Sequence, residues 1–166
     1  VAWESVNQDT SGAGIYAQRF NAAGVAQGSE FQVHTFTLNW QNDPSIAMDD
    51  DGDFVVAWQS LYQDGDFYGI YAQRFNASGT PQGAEFRVNT FTTDEQINPE
   101  VAMDSDGDFV IVWQSYQQAG TSYDVYAQRY DAAGVPQGGE LHDNSSTGGG
   151  HLSPDVAMDS AGNFVI

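Results

Sequence analysis

The chain has 166 residues, a formal charge of −19, and no cysteine. Its only basic side chains are Arg19, Arg74, Arg87 and Arg129; a surface so acidic repels phosphate backbones and anionic lipid, which argues against nucleic-acid binding and electrostatic membrane docking. The missing thiols exclude disulfides, thiolate catalysis and cysteine-ligated zinc, and no apolar run approaches membrane-spanning length, so no membrane insertion is expected.

Three copies of one unit account for the whole sequence. Trp3, Trp58 and Trp113 recur every 55 residues, as do Pro44, Pro99 and Pro154, Met48, Met103 and Met158, and the segments Ile15–Phe20, Ile70–Phe75 and Val125–Tyr130. The repeats run over 1–55, 56–110 and 111–166 and form one continuous repeat domain. The amino terminus is neither a start methionine nor a signal peptide, and the chain reads as a piece of something longer or a processed form.

Within one repeat the elements follow in order. The first strand is expected to follow the proline, at Ser45–Asp49, and a tight acidic turn at Asp50–Asp53 returns the chain into Phe54–Ser60, a β-branched and aromatic strand apolar on both faces. A polar loop, Leu61–Tyr68, leads to the third strand at Ile70–Phe75. A Gly-rich turn, Asn76–Gly83, leads to the fourth at Glu85–Val88. Helix-period spacing is absent, so the class is all-β. Four antiparallel strands per 55 residues predict β-propeller blades, with a β-sandwich array or another β-repeat stack as the alternatives.

Ile166 occupies the same repeat position as Val1, so the strand begun at Phe164–Ile166 is the one that Ala2–Ser5 would finish. Three blades are fewer than a ring usually needs. The expected partners are therefore further blades of a longer chain or a second copy, a six-bladed homodimer being the simplest closed arrangement.

The pattern from Pro99 to Ser115, followed by Tyr-Ala-Gln-Arg and Gly-x-Glu-Phe-x-Val-Asn-Thr, resembles tandem repeats of very large secreted bacterial proteins of the hemolysin-type calcium-binding and adhesin class. That resemblance spans all three repeats and implies an extracellular or cell-surface location, a structural or adhesive role, and calcium. The hairpin also resembles that of NHL-type propeller blades and, more loosely, the Asp-box of sialidases, from which it departs in the spacing of acid, glycine and tryptophan.

Several residues suggest chemistry. Asp49, Asp51 and Asp53, with Asp104, Asp106 and Asp108, set carboxylates around a glycine as calcium requires, although Asp-Gly is also ordinary hairpin-turn chemistry and the third copy loses two of the acids. Arg19, Arg74 and Arg129 each precede a glutamate, Glu30, Glu85 and Glu140, by 11 residues, a spacing that predicts cross-strand ion pairs. Trp58 continues the same-face series Phe54, Val56, Trp58 and reads as core. The loop aromatics Tyr62, Phe67, Tyr68, Tyr116 and Tyr123, together with the non-repeated Trp40, are the candidates for stacking on a sugar ring.

His34, His142 and His151 occupy different contexts, and no nucleophile–base spacing recurs. Asn76-Ala-Ser78 and Asn144-Ser-Ser146 match the glycosylation pattern. The expectation is a non-catalytic extracellular repeat module with a structural or adhesive role, stabilised by calcium and not an enzyme. A propeller lectin that binds glycan through the loop aromatics is the alternative, and a glycoside-cleaving enzyme the third reading.

Overall fold

The computed structural model describes residues 1–9, 12–142 and 149–166. Those residues form thirteen strands and no helix. The first sheet is β1 (Ala2–Val6), β2 (Ala13–Phe20) and β3 (Ala26–Gln32). The second is β4 (Gln41–Met48), β5 (Phe54–Leu61), β6 (Tyr68–Phe75) and β7 (Phe86–Arg87). The third repeats that plan with β8 (Gln96–Met103), β9 (Phe109–Tyr116), β10 (Tyr123–Tyr130) and β11 (Leu141–His142). A hairpin, β12 (Ala157–Met158) and β13 (Phe164–Val165), follows. Every sheet is an antiparallel meander in chain order.

The second strand of each unit organises the core. Side chains alternate across a strand, so β5 sends Phe54, Val56 and Trp58 towards Ile15 and Ala17 of the first sheet. It sends Val55 and Ala57 the other way, towards Phe109, Ile111 and Trp113 of the third. Val110, Val112 and Ala127 in turn pack beneath Val156, Met158, Phe164 and Ile166 of the final hairpin. A strand sandwiched in this way is apolar on both faces, and Val55, Val56, Ala57 and Trp58 are all fully buried. Each large apolar side chain so placed contributes about 1.5–3 kcal/mol.

The first strands of neighbouring units lie together. Ser45 donates its hydroxyl to the Glu100 carboxylate at 2.7 Å and accepts the Val101 backbone N–H at 3.2 Å. Asp43, Asn98 and Ser153 all adopt left-handed backbone at one repeat position, and a depression of about 340 Å³ runs beside them and the prolines that follow.

The first strand begins four residues before its expected start at Ser45. Pro44 sits within β4 at a bulge between Asn42 and Ser45, where a missing N–H breaks no ladder bond, and Asn98-Pro99 repeats the arrangement in β8. The fourth strand shrinks to two residues in β7 and β11, whereas β3 keeps seven.

Candidate functional site

A meander puts the second-to-third-strand loop and the link to the next sheet at one end, and the two remaining turns at the other. At the first end, the 62–67 loop closes through a Tyr62 N–H to Phe67 carbonyl bond of 2.6 Å, with Tyr62 in left-handed backbone. Its Asp66 carboxylate accepts the Asp94 N–H of the next link at 3.0 Å, which fixes the two segments against each other.

Between them lies a groove of about 420 Å³ lined by Phe67, Asp94, Glu95, Tyr116 and Tyr123. Tyr116 and Tyr123 face each other across β9 and β10 with ring centroids 4.9 Å apart, and the Tyr123 hydroxyl donates to the Glu95 carboxylate. Burial, reinforced by that bond and the Glu95 charge, pushes the Tyr123 hydroxyl up to about 12. Phe67 is 43% exposed and its ring stands 6.1 Å from that of Tyr62, itself half exposed. Tyr68 is held by Asn42, and its hydroxyl is pushed up by burial.

Of the six aromatics singled out in the sequence, the structure thus brings Phe67, Tyr116 and Tyr123 together, with Tyr62 alongside. Trp40 belongs to the preceding junction, where its indole crosses Gly12. Asp94 and Glu95 escaped sequence reasoning. The signal was present in the comparison of repeats: positions 40, 95 and 150 carry Trp, Glu and Gly, and positions 12, 67 and 122 carry Gly, Phe and Ser. The groove is lined where near-identical repeats differ.

The acidic turns lie at the opposite end and hold the backbone. The Asp49 carboxylate accepts the Asp53 N–H at 2.9 Å, and Asp53 accepts Ala77 N–H at 2.8 Å. Asp104 accepts both Asp106 and Asp108, and Asp108 reaches Ala132. Asp51 sits at the corresponding turn tip. Among the described residues no group of three or more carboxylates and imidazoles is placed to hold one metal ion.

The expected ion pairs from Arg19, Arg74 and Arg129 to Glu30, Glu85 and Glu140 are corrected. Among the described residues no arginine lies within ion-pair distance of a carboxylate; the ion pairs present join histidines to Asp9 and Asp124. Arg19 and Arg74 instead donate to the Ala77 and Ala132 carbonyls of the following repeat. The glutamates accept from glutamine amides, Gln8, Gln63 and Gln118 respectively. Strand pairing explains the miss: Arg19 stands opposite Gln27, and the register on neither side of the β2–β3 bulge brings Glu30 across from it.

The histidines have separate roles. Buried His34 accepts the Ile15 N–H at 3.1 Å through Nδ1 while Nε2 lies 3.0 Å from Asp9. Asn89, at the same repeat position, accepts the Ile70 N–H at 2.7 Å. His142 and His151 flank Asp124 at 3.9 and 3.2 Å. The Asn144-Ser-Ser146 pattern lies outside the described residues, while Asn76 caps its own turn through the Ser78 and Thr80 N–H groups.

No family model matches the chain, and no curated protein does. Among solved structures, an endo-arabinase from Bacteroides thetaiotaomicron aligns over 92% of this chain at 17% identity, with a TM-score of 0.48. The chain spans 59% of that structure's length. The expectation of a non-catalytic structural or adhesive role finds no support in this neighbour, an endo-arabinase, and is not carried forward. At this level of likeness no substrate or activity passes to this chain.

Proposed function

We propose that the chain is a sector of a β-propeller that binds carbohydrate in the groove between its second and third sheets. The observation that carries this reading is the meeting of Phe67, Tyr116 and Tyr123 with Asp94 and Glu95, at positions where the repeats diverge while the core beneath them is kept. Apolar ring faces suit the C–H faces of a pyranose or furanose, and fixed carboxylates accept sugar hydroxyls. The Tyr123–Glu95 hydrogen bond orients the carboxylate before any ligand arrives, which lowers the ordering cost of binding.

The ligand class follows from charge. A chain at −19 repels uronic and sialic acids and favours neutral or amino sugars. A glycan array carrying both neutral and acidic sugars tests this. Reproducible binding to a neutral or amino-sugar family supports the reading; binding to acidic glycans alone, or to none, defeats it.

A further inference from the structure

The aromatic surface at this end of the molecule continues past the groove, into the junction between the first and second sheets. Trp40 is 51% exposed, Tyr62 49% and Phe67 43%. The Trp40 carbonyl accepts the Leu61 N–H at 2.9 Å, which ties it to the strand end that carries Tyr62. The Tyr62 ring in turn stands 6.1 Å from Phe67, on the groove wall.

Each junction supplies one ring, from opposite sides. Asn39 and Asp94 hold the same repeat position and both take left-handed backbone, with φ of 62° and 58°, so the two links turn alike and bring Trp40 and Glu95 to equivalent places. In the second junction the loop carries the ring, Phe67, and the link carries the carboxylate. In the first the link carries the ring and the loop has Gly12. A Cβ at Gly12 would stand 3.0 Å from Trp40 Cδ1 and 3.2 Å from its Nε1, so that edge of the indole is seated on bare backbone. The ring is thus fixed while half of it faces solvent, and a ligand that covers it orders little that was free.

Tyr68 connects the two places. Burial raises its hydroxyl, the bond with Asn42 lowers it, and the charges of Asp43 and Glu95 raise it again, so it stands within electrostatic reach of both links. Sheets packed face to face lie about 10 Å apart, so rings presented by successive junctions are separated by more than one sugar ring covers.

We propose that the ligand is an extended neutral oligosaccharide with one unit in the groove and another on Trp40, and with Tyr62 and Phe67 under the stretch between them; this rests on the carbohydrate reading of the groove. A single sugar engages the groove alone. A chain of several adds the stacking of its C–H faces on the indole.

The probe is the neutral or amino sugar that the glycan array selects, titrated calorimetrically into the intact chain as its monosaccharide and as its hexasaccharide. The hexasaccharide is expected to bind about tenfold more tightly or better. Trp40→Ala is expected to abolish that gain and leave the monosaccharide affinity unchanged, Trp40→Phe to retain most of it, and Phe67→Ala to weaken both ligands. A second readout needs no alanine variant: the hexasaccharide, and not the monosaccharide, should shield from acrylamide the fluorescence that is missing in Trp40→Phe. Trp58 and Trp113 are fully buried and contribute little to that quenching. Equal affinity for the two ligands, a length gain that survives Trp40→Ala, or an unshielded Trp40 would overturn the extended site and leave the groove standing. No binding by either ligand would overturn both.

Discussion

The Arg74 guanidinium donates to the Ala132 backbone carbonyl, 58 residues further on and in the next repeat. It also reaches the Gln82 carbonyl at 3.2 Å in its own turn, so one side chain ties two third-to-fourth-strand turns together. Gly134 makes room: a Cβ there would stand 2.6 Å from Arg74 Nε, and its φ of 78° disfavours a side chain in any case. Arg19 and Gly79 repeat the arrangement one unit earlier.

Replacing Arg74 by methionine keeps much of the packing and removes the donors. Hydrogen bonds to charged groups contribute about 1.5–3 kcal/mol, towards the lower end where solvent reaches them, so urea denaturation should show a loss of about 1–2 kcal/mol. Gly134→Ala should destabilise the chain while leaving arginine in place. Wild-type stability in both variants would mean that the inter-repeat contact holds nothing.

Glu85 works in the other direction, towards the preceding repeat. Its carboxylate accepts the Thr35 N–H at 2.5 Å and the Gln63 side-chain amide at 2.7 Å. Glutamine, with a single carbonyl oxygen, replaces one of the two acceptor oxygens by a donor. Glu85→Gln should therefore accelerate amide hydrogen exchange at Thr35 while exchange at Val55, in the core of β5, stays slow. Unchanged exchange at Thr35 would show that the clamp is not formed in solution.

Alkaline pH should weaken the fold in a defined window. Burial pushes the Tyr71 hydroxyl from its ordinary 10.0 up to about 12, and burial with the Glu95 bond does the same at Tyr123. Tyr130, in the second core cluster, is raised further by burial. Between 10 and 12 the unfolded chain has released these protons and the folded chain has not. Stability is then complete below about pH 10 and falls as pH rises through 12. Tyrosinate absorbance, followed alongside circular dichroism, should show these rings ionising together with unfolding; free titration near 10 in the folded chain would contradict the burial.

Much of this architecture was legible in the 55-residue period and in the β-branched, aromatic second strand, because those residues report burial on two faces directly. The first-strand start was not, since Pro44 reads as a boundary although a bulge accommodates it inside β4. The arginine contacts were hidden for a related reason. Spacing across a turn gives a possible pairing, while the register of β2 and β3 and the next repeat's Gly79 decide where Arg19 goes. In the candidate site the aromatics were visible as loop candidates, although Tyr116 and Tyr123 are half-buried residues at the ends of β9 and β10. Glu95 was not, because its partner Tyr123 is 28 residues away on another strand.

The central claim is that the groove of Phe67, Glu95, Tyr116 and Tyr123 takes a saccharide, and calorimetric titration with a neutral oligosaccharide selected on the array tests it most directly. Phe67→Ala and Glu95→Gln should each weaken binding by about tenfold, the equivalent of about 1.4 kcal/mol, with folding intact. Asp51→Asn, in the turn at the opposite end, should leave the affinity unchanged. Equal affinity in the groove variants, or no heat from any neutral or amino sugar, would contradict the assignment.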